Sequence, residues 1–480
     1  MKTRKTFFLY FAFLCLGLIP ISAMGQSLPH TFSANTAAKA SEVNENFTYL
    51  LERFGTRKTT VNCSGGESIN TALQNYNHIV ISGICTENLI LDGTTLPHRL
   101  VILEGSSSSS DGISASDTSI PVVDVYKGAI TLKVSNLKLS GGTDGIKAHR
   151  APTIILESLL VENNSNRGIH LSMGSNGRIK NSTIQNNGSQ AIFAGYSSSA
   201  KIKGNTISGH TNGSSILIWG SSGAYIVKNT ITGGKHAGIA VGSSSYALIG
   251  DYPDSGVSQG NTIQSADNGI KVYDSSHAKL IGNTANNNSQ SGLKIRNNAS
   301  AVLAAGNTFS SNYYGIYLWL GGSLDMWCDE QLDAPTTISG NTSRAIKVNN
   351  GGTISLCKLT LTSPNEGIFL WQASHAYLNH VTITGSSTYG LRVYGTNVDF
   401  DNSTISGSTN AEINAEYSVI YMENSAITGT SGSDEIELKF GSKLFIGSGT
   451  TITGTLKCDG SVDNNSIGNY ANLTLTTSGC

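Results

Sequence analysis

The chain has 480 residues, of which 54 are Gly, 8 are Pro and 13% are charged, and its 31 Lys and Arg against 32 Asp and Glu leave a formal net charge of −1. That balance excludes an overall field for nucleic acid or an anionic membrane, and 38% hydrophobic residues exclude a disordered chain. A long, neutral, Gly-rich and Pro-poor chain points instead to many short strands joined by tight turns.

Residues 1–25 read as a secretory signal. Lys2, Arg4 and Lys5 precede an apolar run from Phe7 to Ile21, and Ala23 and Gly25 place small residues before the cut at Gln26. The run is too short for a membrane span, and no later segment approaches that length. The expected location is therefore secreted, periplasmic or on the cell surface. Residues 26–60 form an N-terminal segment in which Val43, Phe47, Leu50, Leu51 and Phe54 follow helical spacing. A helix within 36–54 is expected to cap the strand region beyond it, or to join weakly to a second copy; the chain is otherwise expected to be a monomer.

Cys15 leaves with the signal, and the other six cysteines fall as Cys63/Cys85, Cys328/Cys357 and Cys458/Cys480, with separations of 22, 29 and 22. Those separations match a repeat that runs through most of the chain, so three local disulfides on neighbouring turns are expected in an oxidising compartment. No CxxC pair or His cluster supports a zinc site instead.

The repeat is a unit of small-aliphatic-x-aliphatic. Its small residue falls at Gly145, Gly168, Ala191, Ser215, Gly238, Gly269, Gly292, Gly315, Ala345, Gly367 and Gly390, with steps of 22–24 residues except for 31 and 30. The two long steps contain insertions around 251–260 and 323–335. Alternation such as Ile270/Val272 or Leu293/Ile295 marks a half-buried strand. A second short strand follows, as at Lys279-Leu280-Ile281, and then a third that often opens on Asn: Asn205, Asn229, Asn261, Asn283 and Asn307. These asparagines are expected to stack at one corner and hydrogen-bond successive turns. Three strands per repeat with no helix between them describe a parallel coil whose turns bury their apolar sides on one another.

From about Val61 to Cys480 this pattern resembles the right-handed parallel β-helix, or pectate-lyase-like, superfamily. Its opening is similar too: Cys63-Ser64-Gly65-Gly66, a helix-like Ser68–Asn75, then Ile79–Gly83 and Cys85-Thr86-Glu87-Asn88. The expected fold is all-β, a single solenoid over 61–480 of about 14–16 rungs.

Within such a coil the second and fourth positions after each small residue face outward. These 22 positions hold eight aromatics, six Lys or Arg and no Asp or Glu, and they include three of the four tryptophans. Between 269 and 394 they are Lys271, Tyr273, Lys294, Arg296, Tyr317, Trp319, Lys347, Asn349, Phe369, Trp371, Arg392 and Tyr394. Strand propensity explains some aromatic enrichment but not its concentration with cations. Aromatic faces stack on sugar rings while Lys and Arg neutralise carboxylate or sulfate, so an anionic polysaccharide is the expected partner. Glu412, Glu435 and Glu437 are expected to bound the groove.

Members of the superfamily that hydrolyse pectin-like chains carry Asn-Thr-Asp, Asp-Asp and Gly-His-Gly, none of which occurs here, and the Asp-Pro-His of its uronan epimerases is missing as well. Arg178-Ile179-Lys180 matches only by coincidence, since Lys201-Ile202-Lys203 stands one rung on. Facing carboxylates for hydrolysis and an acidic cluster for calcium are both absent from these columns, so no metal or other cofactor is expected. What is left for an enzyme is metal-free β-elimination, with Lys294, Arg296 and Tyr317 as the catalytic group and Lys271, Tyr273, Trp319, Lys347, Phe369, Trp371, Arg392 and Tyr394 holding substrate. Clustered cations are expected to lower one another's pKa values and those of Tyr273 and Tyr317. Asp274 and Glu366 flank the face as orienters of a cation, and His149 and His170 read as structural. The alternative is a non-catalytic glycan-binding or adhesin-like surface protein, which needs only the ladder. Insertions that fold over the aromatic face favour the enzyme, and insertions on another face favour the binder.

Overall fold

The computed structural model describes Val43 and residues 56–478, apart from 97, 129, 253–258, 329–334, 363–364, 373–374, 430–434 and 460–473. The chain divides into two units, 1–58 and 59–480. In the first, Val43 is helical; the leader 1–25 and the rest of the expected helix within 36–54 lie outside the described residues.

The second unit opens with a 3-10 turn at Cys63–Gly65 and a one-turn helix at Ile69–Ala72, begun by the Ser68 hydroxyl accepting from the Thr71 N–H at 3.3 Å. Beyond it the described elements are strands, arranged as a three-sided coil of about 16 turns. One turn shows the plan. Ser291–Arg296 lies on a first sheet, Ser300–Leu303 on a second and Thr308–Ser310 on a third, and each pairs in parallel with its counterpart one turn later. With rungs ~4.8 Å apart the stack is about 75 Å long.

Alternation along each short strand decides which residues go inside. Ile270, Leu293, Ile316, Ile346, Ile368 and Leu391 form a fully buried column of the first sheet, in register from turn to turn. The corners are held by polar ladders, of which two show the pattern. At the corner between the second and third sheets, the Asn205, Asn229, Asn261, Asn283 and Asn307 amides bond in sequence, each Nδ2 donating to the next Oδ1 at 2.9–3.1 Å. Between the first and second sheets, backbone N–H groups of Ser175, Ser198, Ser222 and Ser245 donate to the hydroxyl one turn ahead. These bonds satisfy backbone and side-chain groups that turns without regular pairing would otherwise bury unpaired.

The small residue of the repeat has a steric cause. A Cβ on Gly315 would sit 2.6 Å from the Ala345 carbonyl oxygen and 2.8 Å from Asn341 Nδ2. We expect Gly315→Val to cost about 1–3 kcal/mol through overpacking, read as a fall in the urea midpoint; an unchanged midpoint would contradict this account of the corner.

Two disulfides link neighbouring turns, Cys63–Cys85 and Cys328–Cys357, with Cα separations of 4.8 and 5.1 Å. Cys458 is disulfide-bonded too; its expected partner, Cys480, lies outside the described residues. No helix among the described residues is long and apolar enough to cross a membrane.

Candidate functional site

The first sheet aligns its outward side chains in columns. Lys271, Lys294, Tyr317, Lys347, Phe369 and Arg392 stand opposite one another on six successive strands, and beside them run Tyr273, Arg296, Trp319, Asn349, Trp371 and Tyr394. Every predicted binding and catalytic residue therefore lies on one face, and consecutive members are one strand spacing apart, ~4.8 Å.

Cations and rings interleave within this face. Lys271 Nζ lies 4.8 Å from the centre of the Tyr273 ring, Lys294 Nζ 5.0 Å from Tyr317, and Lys347 Nζ 5.0 Å from Tyr317. Trp371 and Tyr394 stack in parallel at 4.2 Å. Phe369 points outward yet is only 8% exposed, because the Arg344 guanidinium covers it at 4.3 Å and Arg392 at 5.7 Å. Phe369 thus supports the two arginines, while Trp371 presents a ring to solvent.

A third outward column escaped the sequence reading. It is the residue just before the small one: Tyr314, Arg344 and Glu366 stand opposite one another, and Arg167 and Tyr389 hold the same place on other turns. Glu366 is buried and accepts from both Arg344 and Arg392, the latter at 3.3 Å. The flanking role expected of Glu366 is thereby realised. Lys347 Nζ donates to the Tyr314 hydroxyl at 3.3 Å. A count of bulky polar residues immediately before each small residue would have exposed this column.

Burial and like charge act together on the lysines. Burial, then Arg296 and Lys294, bring the Lys271 ammonium down to about 8, and Lys294 and Lys347 are lowered by burial and a neighbouring arginine. The tyrosines go the other way from the expectation. Burial pushes Tyr273 up to about 12, outweighing the nearby Arg296, and burial together with the neighbouring Tyr314 raises Tyr317. Both therefore stay protonated at neutral pH.

The expected acidic boundary is also different. Glu412 and Glu435 fall in the small-residue column and are buried at the corner, where Glu412 accepts from the Ser408 N–H at 2.9 Å. Burial raises the Glu412 carboxyl. Only Glu437 faces outward, held by Lys439 at 2.9 Å and Asn414 at 2.6 Å. The aromatic line instead runs on from Tyr394 to Tyr417 at 5.4 Å and to Phe440 at 5.1 Å, both exposed at 56% and 47%.

The described parts of the two insertions lie against the second sheet. The Tyr225 hydroxyl bonds to Asp251, Lys279 Nζ donates to the Tyr252 hydroxyl at 3.1 Å, and the Trp327 ring packs on Lys279 at 3.9 Å. Both insertions leave the coil between the second and third sheets, which is why their described residues reach Tyr225 and Lys279 rather than the aromatic face. Asp329, Glu330 and Asp333, the acids of the later insertion, lie outside the described residues.

A family model described as right handed beta helix region matches residues 122–252 and, overlapping, 211–330. Residues 122–330 thus match a right-handed β-helix, and the described strands of 59–480 form one parallel β-solenoid. No curated protein matches the sequence. Among solved structures the β-helix is similar to the A-module of a mannuronan C-5 epimerase from Azotobacter vinelandii, at 13% identity and a TM-score of 0.31, over 84% of this chain and 96% of that one. It is also similar to the catalytic unit of a thermostable GH87 alpha-1,3-glucanase from Streptomyces thermodiastaticus, at 13% identity and a TM-score of 0.40, over 86% of this chain and 71% of that one. A third similar structure is the Dettilon tailspike protein, at 10% identity and a TM-score of 0.26, over 93% of this chain and 66% of that one.

Proposed function

We propose that the first sheet of this β-helix binds an anionic polysaccharide along its length, on an exported protein. One observation carries the reading: Lys, Arg and aromatic side chains stand in register on six successive strands, at a spacing close to one sugar ring per rung. Rings offer stacking surfaces while the cations neutralise carboxylate or sulfate. The described residues of the insertions, Tyr252 and Trp327, rest on the second sheet rather than on this face, which suits a long chain lying along it and favours a binder. The disulfides fit an oxidising compartment.

A second reading, metal-free β-elimination at the basic patch, is favoured by the lowered Lys294 beside Arg296 and Tyr317. In it Lys294 accepts the proton, Arg296 pairs with the uronate carboxylate, and Tyr317, as a protonated phenol, donates to the departing oxygen.

Retention of the purified chain on immobilised alginate, polygalacturonate, hyaluronan and heparin tests the binding reading; passage through all of them with neutral glycans retained instead would overturn it. A pH titration adds a sharper expectation. Lys271 is charged below about 8 and neutral above it, so affinity for the polyanion should fall as pH rises through that value. Lys271→Arg should remove this step, because a guanidinium stays charged throughout. A binding curve flat between about pH 7 and 9 in the unmodified chain would exclude Lys271 from the contact.

A further inference from the structure

Several turns ahead of the basic patch, the same sheet carries a second group of titratable side chains. Asp124, Lys147 and His170 stand opposite one another on three successive strands, and Tyr126 stands opposite His149. The two histidines that read as structural in the sequence each face a carboxylate. His149 Nε2 lies 3.2 Å from Asp124 Oδ1, and His170 Nδ1 lies 3.3 Å from Asp144 Oδ2.

The two pairs differ in what is left free. His170 Nδ1 is shared between Asp144 and Arg167 Nη1 at 3.2 Å, and Arg167 itself donates to Gln190 at 2.8 Å and covers the Phe193 ring at 4.5 Å. That pair is locked into the sheet. In the other, Nε2 of His149 is buried against Asp124, and the ring stacks on Tyr126 at 5.5 Å. His149 Nε2 and Asp124 Oδ1 are buried 3.2 Å apart with no other hydrogen-bond partner, and among the described residues no hydrogen bond uses Nδ1, so a neutral ring with its hydrogen on Nε2 keeps its lone pair on Nδ1. Lys147, two residues back on the same strand, pairs with no acid among the described residues.

We propose that His149, oriented by Asp124 and flanked by Lys147, is the catalytic base of a β-elimination that cleaves a uronate-containing polysaccharide lying along the first sheet. The inference rests on the binding reading above and gives it a reacting centre. Lys147 pairs with the uronate carboxylate and stabilises the charge that builds on it. His149 Nδ1 takes the proton from the carbon bearing that carboxylate, and the C–H electrons form a double bond to the next ring carbon as its bond to the glycosidic oxygen breaks. The imidazolium, beside Asp124, returns the proton to that oxygen. Nothing is oxidised or reduced and no co-reactant is consumed.

Burial lowers His149, which keeps the imidazole neutral and able to accept a proton, and burial raises Asp124. This centre and the basic patch share one sheet. Five turns separate the strand of Ile146 from that of Ile270, about 24 Å. The outward positions between them include Phe193, whose ring lies over Gly195 beneath Arg167, then Trp219, Ala240 and Gly242, the last beneath the Tyr273 ring.

The test compares the full chain with His149→Ala, His149→Asn and Lys294→Ala on whichever uronate polymer the chain retains, following the ultraviolet absorbance of the unsaturated product. Lys203→Ala, on the second sheet, serves as the control of unchanged rate. Both His149 variants should lose at least about 100-fold in kcat with little change in KM, while Lys294→Ala should raise KM. An unchanged thermal midpoint in both His149 variants separates lost chemistry from a lost fold. Wild-type kcat in a folded His149→Ala overturns the assignment, as does loss of kcat in Lys294→Ala alone. New reducing ends without the chromophore mean hydrolysis and overturn it as well. Polymer that is retained but never cleaved removes this inference and leaves the binding reading, whereas retention of no polymer removes both.

Discussion

Asn283→Ala should lower stability by about 3–5 kcal/mol, one of the largest single-residue effects in the chain. Asn283 is 0% exposed, and its amide works in two directions. Its oxygen accepts from the Asn261 backbone N–H at 3.1 Å and from Asn261 Nδ2 at 2.9 Å, while its nitrogen donates to the Ile249 and Ile281 carbonyls at 2.7 and 3.2 Å and to Asn307 Oδ1 at 3.1 Å. Removing it leaves buried donors and acceptors on both neighbouring turns with no partner and no water. Asn283→Asp keeps the acceptor but turns a second oxygen toward the two carbonyls. That raises the carboxyl pKa in the folded state, so the variant should gain stability as pH falls through it. Because stacked turns open locally, the readout is hydrogen exchange on residues 249–307 together with the thermal midpoint. Exchange unchanged there would show that the ladder does not hold the corner.

Trp371→Ala should weaken retention of the polymer about 10- to 100-fold, or about 1.4–2.8 kcal/mol. Trp371 is 37% exposed and is held flat by the parallel Tyr394 ring, with Phe369 behind it at 6.0 Å. A ring fixed in advance loses little freedom when a sugar stacks on it. The contact with Tyr394 is lost as well, so the thermal midpoint has to be measured beside the affinity. Tyr421 on the second sheet gives a matched control, since it too is exposed and stacks in parallel on its neighbour, Phe445 at 4.8 Å. Tyr421→Ala should leave retention unchanged. Equal losses in both variants would mean that exposed rings in general hold the polymer and that the first sheet is not special.

These two side chains also show how far the sequence reaches. Alternation of period two, repeated every 22–24 residues, can be satisfied only by strands that bury one side against the next turn. Coil, parallel pairing, outward columns and Asn ladder were therefore legible, down to the identity of Asn283 and Trp371. The small residue of each repeat was legible as a marker, although its reason, a close approach to the next turn's carbonyl, became visible only in three dimensions. Glu366 was read as flanking the face, but its column with Tyr314 and Arg344 was missed because it precedes the marker, where the chain turns a corner and alternation breaks down.

Tertiary structure alone decided four matters, each of them set by distance between turns or by solvent rather than by neighbours in sequence. Glu412 and Glu435 read as outward acids, yet they occupy a column that is inside at the corner. Tyr273 and Tyr317 stand beside cations but are raised, burial being the largest cause in both. Tyr252 and Trp327 of the insertions reach Lys279 on the second sheet, a direction fixed by corner geometry. His149 acquires Asp124 from the previous turn, 25 residues back in the chain, and no local pattern signals that pairing. The sequence by itself determined the coil and the two outward columns between Lys271 and Tyr394; only the stacking of turns decided the corner columns and which side chains meet, because that depends on the depth and direction of each side chain across rungs about 4.8 Å apart.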